Sequence, residues 1–381
     1  MKITDIHAYV VSQQLDRGES FAYSQYWYNT RTVMLLKMET DEGVTGWGEA
    51  FGPAVVNKAI IDHVYKPIVM GRDPFDSEVI WEELYNRLRD HGQKGVTVEA
   101  ISAIDIALWD IKGKALNLPV YKLLGGSPRA RIMPYATGLY RRNHPDMTRE
   151  LVKEAEGYAE QGFKAIKLKI GFGIEEDVRT LREIRKALGE KILLMADANH
   201  AYNANNAIKL SRKMEDYDIF WFEEPVPPED IDGYIEIRAN TSIPIAGGEA
   251  EFTRYGFSNL LQRRAVDIVQ PDCCVTGGIS EFRKIVTLAA INNIQCYPHI
   301  WGSAIALFTG VHCAFSLPHF PPSLYPGDVL LELDRTPNIF REELSRTKLD
   351  FKDGYVSLPE GAGLGIDVDE ELIAEYEVTY V

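Results

Sequence analysis

Three acidic residues follow apolar, β-rich runs of the chain at an even spacing. Asp197, Glu223 and Glu249 stand 26 residues apart in turn. If the runs are neighbouring strands, which lie about 4.8 Å apart, the three side chains can converge on one point. Three carboxylates that close repel one another unless a cation lies among them, and oxygen ligands of this kind suit Mg²⁺. The spacing therefore favours a magnesium site over the alternative that each acid caps a helix or pairs with an arginine.

Two lysines, Lys167 and Lys169, stand two residues apart in the run AIKLKIG. A strand places both side chains on one face, and like-charge repulsion between them, with a metal nearby, would lower the pKa of each amine. A lysine with a lowered pKa can accept a proton near neutral pH. The alternative is a pair of exposed lysines on a surface strand.

Asp272 and His299 end two further runs, VDIVQPD and IQCYPHI. A carboxylate beside an imidazole fixes the tautomer of the ring and raises its basicity, so this pair is a second candidate base, across the site from Lys169. The alternative is a structural histidine. A serine hydrolase is disfavoured because no GxSxG turn precedes these residues. A barrel glycoside hydrolase that uses Glu223 and Glu249 as its two carboxylates stays open, although the lysines would then have no role.

The elements that must position these residues follow a regular order. Eight β-rich runs alternate with amphipathic helical stretches, and the runs begin at residues 131, 163, 191, 219, 243, 266, 294 and 329. This order predicts an α/β fold of the TIM-type (β/α) barrel class, in which the active site lies at the carboxyl ends of the strands. A doubly wound open sheet is disfavoured, because no glycine-rich phosphate turn follows the first strand.

Segments of a different pattern flank the predicted barrel. The N-terminal segment has two strand patterns, IHAYVV and TVMLLKME, that are separated by a polar and aromatic loop. The hairpin turn signal DEG follows the second pattern, and helical patterns begin at residue 55. We therefore expect an N-terminal α+β capping domain at residues 1–125 and a catalytic barrel at 126–335. The C-terminal segment 336–381 is expected to return to the capping domain.

Composition excludes several classes of function. The chain has 381 residues, of which 45% are apolar and 25% charged, as in ordinary globular proteins. Its formal net charge of −15 argues against nucleic acid and against an anionic membrane surface as partners. Four cysteines without a CxxC pair, and an N-terminus that lacks the signal-peptide pattern, favour a cytoplasmic protein with reduced thiols. A metal would supply the local positive charge that an anionic substrate needs.

Motifs along essentially the whole chain resemble those of the enolase superfamily, in its mandelate racemase subgroup. They are the helix IDIALWDIKGKALNLPVYKLLGG, the KLK strand, and the segments DAN, FEEP, GGE, QPD, PH and LPEGAGLGIDV. The resemblance implies a modified barrel capped by an α+β domain that is built from the N-terminal segment and the C-terminal tail. It also implies one Mg²⁺ per subunit, bound by Asp197, Glu223 and Glu249.

The same resemblance implies roles for the other residues at the strand ends. Lys169 would be one base, and Lys167 would orient the substrate carboxylate and modulate Lys169. His299 with Asp272 would be the second acid or base. Glu332 stands where the family has a glutamate that hydrogen-bonds the substrate carboxylate, although the insertion PPSLYPGD lengthens its distance from His299 in the chain.

Local segments resemble the galactarolactone cycloisomerases of that subgroup, among them LRDHGQKG, IGFGIEED and ELDRTPNIFR. The resemblance implies a small-molecule sugar acid or lactone as substrate. A base would remove the proton α to the carboxylate, the lactone oxygen on the β carbon would leave, and the product would be a 2-keto-3-deoxy acid. Dehydratases of aldonates or aldarates share these strand-end residues and are the first alternative, followed by racemases and epimerases.

Substrate specificity is expected in the loops around the barrel mouth. The candidates are the aromatic loop 17–29, Phe51, His91, Gln93, Tyr140, Asn199, His200 and Trp301. Each aromatic residue among them has core packing or a subunit contact as its alternative role. We also expect the protein to be a homo-oligomer.

Overall fold

A three-stranded antiparallel sheet and a set of helices form the N-terminal part of the protein, whose computed structural model describes residues 1–378. Its elements are β1 (Ile3–Gln14), β2 (Phe21–Ala22), β3 (Trp27–Tyr28), β4 (Thr30–Thr40), β5 (Thr45–Ala50), α1 (Ala54–Ile60), α2 (Lys66–Val69), α3 (Ser77–Leu88), α4 (Val96–Ala115) and α5 (Val120–Leu123). The sheet order is β1–β4–β5, and the predicted turn joins β4 to β5. Alternating side chains along β1 bury one face of the sheet.

Helix α4 packs closely on this sheet because β5 carries a glycine at the contact. A Cβ atom at Gly48 would collide with the carbonyl group of Ala103 in α4. All residues of α4 from Val98 to Gly113 are buried, so the helix is the centre of the N-terminal part. Within residues 1–378, no helix combines the length and the apolar character that crossing a membrane requires.

Eight parallel strands and seven connecting helices form the barrel that the sequence predicts. The elements are β6 (Arg131–Gly138), α6 (Met147–Glu160), β7 (Ala165–Lys169), α7 (Ile174–Leu188), β8 (Leu193–Asp197), α8 (Ala204–Met214), β9 (Ile219–Glu223), α9 (Ile231–Ala239), β10 (Ile245–Gly247), α10 (Thr253–Gln262), β11 (Ile268–Val269), α11 (Gly278–Asn292), β12 (Gln295–Cys296), α12 (Ala304–Ser316) and β13 (Leu330–Asp334). The strand order is β13–β6–β7–β8–β9–β10–β11–β12. Each strand lies inside one of the predicted runs, so the TIM-type fold is confirmed.

The sixth and seventh barrel strands are short but are extended by further backbone hydrogen bonds. β11 and β12 contain two residues each. Past their ends, Tyr297 N donates to Val269 O at 3.1 Å and His299 N donates to Pro271 O at 3.3 Å. The chain therefore stays in strand register, which places Asp272 and His299 side by side at the carboxyl edge.

The C-terminal segment contacts both parts of the molecule. Its elements are α13 (Ile339–Glu342), β14 (Phe351–Lys352), β15 (Tyr355–Ser357) and α14 (Glu370–Tyr376). Strand β15 pairs antiparallel with the start of β6. Further along, Leu364 N donates to Asp110 Oδ1 of α4 at 2.8 Å, and Val378 N donates to Val10 O of β1 at 2.9 Å. The division of the chain at residues 125 and 335 stays a prediction.

Candidate active site

Three carboxylates meet at the carboxyl ends of three adjacent barrel strands. Asp197 and Glu223 are the last residues of β8 and β9 and lie opposite each other in the strand register. Glu249 follows two residues after the end of β10. One oxygen from each of the three side chains lies within 4.8 Å of the oxygens from the other two. The structure thus brings together the three residues that the sequence predicts as metal ligands.

The donor set of this cluster fits a bound Mg²⁺. Glu249 Oε2 is buried and makes no hydrogen bond with any group within residues 1–378. Glu223 Oε2 accepts hydrogen bonds from Trp221 Nε1 and Gln270 Nε2, each at 2.8 Å, and these bonds orient the carboxylate. Three converging carboxylates, one of them with an oxygen that makes no hydrogen bond to the described residues, match the hard oxygen ligands that Mg²⁺ prefers.

Both predicted lysines point into the barrel beside these carboxylates. Lys167 Nζ lies 2.5 Å from Glu223 Oε1 and 2.9 Å from Glu332 Oε1. Lys169 Nζ contacts Asp197 Oδ2. Burial alone would lower the pKa of each amine, but the carboxylates raise both pKa values well above the usual range. The sequence predicted a lowered pKa for each lysine. For the polypeptide without a bound metal that prediction is wrong, because attraction to the carboxylates outweighs the repulsion between the two lysines.

His299 and Asp272 form the predicted side-chain pair. His299 Nδ1 lies 2.7 Å from Asp272 Oδ2, and Cys274 N donates to the other Asp272 oxygen at 2.6 Å. His299 Nε2 is thereby directed at Glu249 Oε2, 3.3 Å away. Burial alone would lower the pKa of His299, but Glu249, Glu332 and Asp272 raise it to about 10. The imidazole presents Nε2 to the interior of the site, where it can exchange a proton.

Glu332 is held in place by two hydrogen bonds and one ion pair. Oε1 accepts from Thr137 Oγ1 at 2.5 Å and pairs with Lys167, while Oε2 accepts from Ile300 N at 3.0 Å. Burial alone would raise the pKa of Glu332, but Lys167 and His299 lower it to about 2. The side chain is therefore an ionised carboxylate in this arrangement.

These groups surround a cavity of about 260 Å³ at the barrel mouth, closed on one side by the N-terminal part of the chain. Lys169, Glu249, His299 and Glu332 all line it. So do several residues that were predicted to contact the substrate: Phe51, Tyr140, Asn199, His200, Trp301, and Tyr23 and Tyr28 of the aromatic loop 17–29. His91 and Gln93, which were also predicted to contact the substrate, are exposed between α3 and α4 and do not line this cavity.

His200 is held by Glu224, the acid that follows Glu223 in the chain. His200 Nε2 lies 2.6 Å from Glu224 Oε2. Asn199, His200 and Glu224 have positive φ angles of 42°, 68° and 44°. Such angles are uncommon in residues other than glycine and often accompany functional sites. Burial alone would lower the pKa of His200, but Glu224 raises it to about 9.

Sequence reasoning missed several residues of the cavity wall. Most of them are apolar side chains that an apolar pattern cannot separate from core residues, namely Ala250, Phe252 and Val275. The exception is Glu99 of α4, a buried acid that also lines the cavity. The signal that could have identified it is a single carboxylate near the start of an otherwise largely apolar helix.

Two family models match the chain. The "Mandelate racemase / muconate lactonizing enzyme, N-terminal domain" model matches residues 5–125. The "Enolase C-terminal domain-like" model matches residues 150–372. The two matched regions together cover most of the chain.

Proteins of known activity are similar to this chain over nearly its whole length. D-galactarolactone cycloisomerase of Agrobacterium fabrum is 40% identical over 378 residues, which are 99% of each chain. Arabinonate dehydratase of Saccharolobus solfataricus is 32% identical over 98% of this chain and 99% of that protein. The crystal structure of 3,6-anhydro-D-galactonate cycloisomerase from Zobellia galactanivorans covers all of both chains at 46% identity with a TM-score of 0.90. This chain is therefore an enzyme of the enolase superfamily and belongs to its mandelate racemase subgroup.

Proposed function

We propose that this enzyme opens the ring of a cyclic sugar acid by Mg²⁺-assisted β-elimination, with an aldarolactone of the galactaro or glucaro type as the first candidate substrate. The observation that carries the proposal is that Lys169 and His299 line the cavity that also receives Glu249 of the acidic cluster. The proton α to a carboxylate is only weakly acidic. Its removal requires a positioned base and positive charge beside the carboxylate, and this cavity can supply both.

The cofactor would be held by Asp197, Glu223 and Glu249. Bound there, Mg²⁺ would supply positive charge that stabilises the negative charge developing on the substrate carboxylate. Asp197 is the ion-pair partner of Lys169, and as a metal ligand it would no longer hold that amine in its charged form, so Lys169 could accept a proton.

The substrate carboxylate is oriented by Lys167 in this proposal. Glu332 was expected to hydrogen-bond the carboxylate directly, which would require a proton on Glu332. Its ionised state argues against that role, because two carboxylates without a shared proton repel each other. We propose instead that Glu332 acts by holding Lys167, 2.9 Å away, in position.

The reaction needs one residue that removes a proton and one that can return it. Lys169 or His299 takes the α-proton, and the electrons of the C–H bond form the double bond of the enediolate. The bond between the β carbon and the ring oxygen then breaks. If the ring oxygen leaves as an alkoxide, the opposite residue can protonate it. The resulting enol takes a proton at the former β carbon and becomes a 2-keto-3-deoxy acid.

The activities of similar proteins favour ring opening over dehydration. The relatives at 40% and 46% identity are both named cycloisomerases, whereas the dehydratase is 32% identical. The 46% identity supports a 3,6-anhydro sugar acid as the second candidate substrate. Dehydration of an acid sugar is the alternative reaction, followed by racemisation or epimerisation. Membership of the enolase superfamily removes the support for a glycoside hydrolase.

The test is product analysis with a small set of sugar acids. The Mg²⁺-loaded protein is incubated with D-galactarolactone, 3,6-anhydro-D-galactonate and D-galactonate, and products are identified by NMR. We expect a keto acid from at least one of the two cyclic compounds and a slower reaction, or none, with galactonate. Conversion of galactonate alone would show a dehydratase, and no keto acid from any sugar acid or lactone would overturn the proposal.

A further inference from the structure

One acid on the wall of the catalytic cavity has no part in the proposed mechanism. Glu99 lies in the first turn of α4, is 7% exposed and reaches the cavity from the N-terminal part of the chain. The other cavity residues from that part, Tyr23, Tyr28 and Phe51, are aromatic. Glu99 is therefore the one carboxylate that residues 1–125 contribute to this wall.

The position of the Glu99 carboxylate is fixed by its neighbours. Asn57 Nδ2 donates to Glu99 Oε2 at 3.1 Å and to Phe51 O at 2.8 Å, and Asn57 is fully buried. Gly52, at φ +90°, leaves the space that the carboxylate occupies, since a Cβ atom there would collide with both Glu99 oxygens. These neighbours orient the acid without neutralising its charge.

The charge of Glu99 has no cationic partner in the described part of the chain. Within residues 1–378, no lysine, arginine or histidine forms an ion pair with it. Burial, together with the like charge of Asp272, raises the pKa of Glu99 to about 7, while the Asn57 hydrogen bond opposes this shift. Among the described residues, Asn57 Nδ2 is the one side-chain donor that reaches this carboxylate, so Glu99 retains hydrogen-bonding capacity that a ligand in the cavity can use.

We propose that Glu99 is a specificity-determining residue that hydrogen-bonds a hydroxyl group of the substrate and disfavours a second substrate carboxylate at that position. The inference rests on the proposed function, which places the reacting carboxylate at the acidic cluster. A sugar lactone meets the requirement because its second carboxyl group is an uncharged ester. The substrate class is then a cyclic sugar acid with one negative charge rather than an open-chain dicarboxylate.

The same residue also favours release of the product of lactone opening. When the lactone C–O bond breaks, the ring oxygen and its carbonyl become a second carboxylate. Like charges in a poorly solvated cavity repel strongly, so Glu99 weakens binding of the dicarboxylate product relative to the substrate.

The experiment compares two ligands of equal chain length that differ at one end. Galactonate has a hydroxyl group at C6 and galactarate has a carboxylate there. Their dissociation constants are measured by titration calorimetry on the Mg²⁺-loaded full-length protein at about pH 8.5, well above the pKa of about 7, so that Glu99 is ionised. We expect the wild type to bind galactonate at least about tenfold more tightly than galactarate.

Removing the negative charge of Glu99 should reduce the preference of the protein for galactonate over galactarate. In Glu99→Gln the ratio of the two dissociation constants is expected to fall by at least about fivefold, chiefly through tighter binding of galactarate. Glu99→Ala should narrow it as well, and this variant serves if the Gln variant fails to fold. The matched control is Glu39→Gln, which removes one charge from an exposed side chain of β4 and should leave the ratio unchanged.

An unchanged ratio in both folded Glu99 variants, or a wild-type preference for galactarate, would overturn the inference. Lactone turnover by the same preparations separates this failure from that of the proposed function. If the wild type forms a keto acid and the ratio does not respond to Glu99, the role of Glu99 alone is wrong. If the wild type forms no keto acid from any sugar acid or lactone, the proposed function is wrong.

Discussion

Charge compensation between single residues explains how so many ionisable groups can be buried at the strand ends. Lys167 contacts both Glu223 and Glu332, and Lys169 contacts Asp197. A buried charge is costly unless it is paired or bound to a metal. The pairs seen in the polypeptide therefore make the cluster tolerable, and a cation among the carboxylates would release Lys169 for proton transfer.

Loss of either candidate base should remove catalysis while leaving the fold intact. In Lys169→Met and in His299→Gln, keto-acid formation from the wild-type substrate is expected to fall by about 10³-fold, because a positioned acid or base contributes that order of acceleration. The rates are measured by NMR of the product at saturating Mg²⁺.

Two exposed residues provide matched controls for these variants. Lys164→Met and His319→Gln make the same chemical changes outside the cavity and should keep wild-type rates. Retention of more than one tenth of the rate in either base variant would exclude that residue from the proton transfer.

The Glu249 oxygen that makes no hydrogen bond within residues 1–378 gives a prediction for metal affinity. Glu249→Gln should raise the dissociation constant for Mg²⁺ by at least about tenfold, because even residues outside the ligand set commonly change metal affinity by that factor. Titration calorimetry with Mg²⁺ alone measures it, without any substrate. Glu236→Gln on the exposed side of α9 is the control. Equal Mg²⁺ affinities in all three proteins would remove Glu249 from the metal site.

The ionisable residues of the site were more predictable than their contacts. Each charge at a strand end interrupts an apolar run, so it is visible in the sequence. Their pairing depends on side-chain reach across the barrel, which no pattern contains. Glu99 was missed because it enters the cavity from a helix of the N-terminal part, and His91 and Gln93, predicted from a neighbouring segment, are exposed instead.

At the scale of elements, long apolar runs predicted the barrel strands, whereas short elements escaped detection. The hairpin of β2 and β3 lies in the segment that the sequence predicts as an aromatic loop. It was not predicted, because strands of two residues show no alternation of side chains. The pairing of β15 with β6 joins residues more than 200 positions apart in the chain. Such a contact is set by the tertiary fold and has no local signal.

A buried histidine connects three elements away from the active site. His312 of α12 accepts a hydrogen bond at Nδ1 from Tyr121 N of α5, and its Nε2 lies 3.1 Å from Leu364 O in the C-terminal segment. The first bond requires Nδ1 to be unprotonated, so Nε2 carries the proton and donates it to Leu364 O. Burial lowers the pKa of His312 to about 4.

This shift predicts a loss of stability in acid. The unfolded chain protonates His312 near its usual pKa of about 6.5, whereas the folded protein resists protonation down to about pH 4. The neutral ring of His312 therefore makes its full contribution to the free energy of unfolding above about pH 6.5. This contribution, up to about 3 kcal/mol, is lost progressively as the pH falls towards 4. In His312→Gln this pH dependence should be absent.

The measurement is urea unfolding of the wild type and His312→Gln between pH 7 and pH 4. The difference in unfolding free energy between the two proteins should shrink as the pH falls, since other groups titrate equally in both. A difference that stays constant over this range would contradict a neutral buried His312.

The contact between β5 and α4 gives a second prediction at this scale. Gly48→Ala should destabilise the protein by about 1 to 3 kcal/mol, because the added Cβ atom meets the Ala103 carbonyl and the helix must shift. Gly18→Ala is the control, since a Cβ atom there meets nothing within 4 Å. Thermal unfolding should show a lower Tm for the first variant and a nearly unchanged Tm for the second. Equal Tm values would show that the contact can relax at little cost.

At the scale of the whole molecule, the cavity exists because two parts of the chain meet over the barrel mouth. Ser24 Oγ donates to Ala198 O at 2.9 Å, and Ser303 N donates to Glu49 Oε1 at 3.0 Å. The two-part organisation was predictable from the change of pattern along the chain. The interface was not, because it is formed by loops whose sequences carry no periodic signal. A homo-oligomer and a cytoplasmic location stay predictions.

The central claim is that the protein removes an α-proton from a cyclic sugar acid in a reaction that requires Mg²⁺. The most direct test is ¹H NMR of D-galactarolactone or 3,6-anhydro-D-galactonate in D₂O with the Mg²⁺-loaded wild type. The proposed function predicts loss of the α-proton signal and a 2-keto-3-deoxy acid with one solvent deuterium at C3, both abolished by complete chelation and restored by added Mg²⁺. A keto acid formed at the same rate after complete chelation would contradict the claim. So would a product in which the original proton is still bonded to the α carbon.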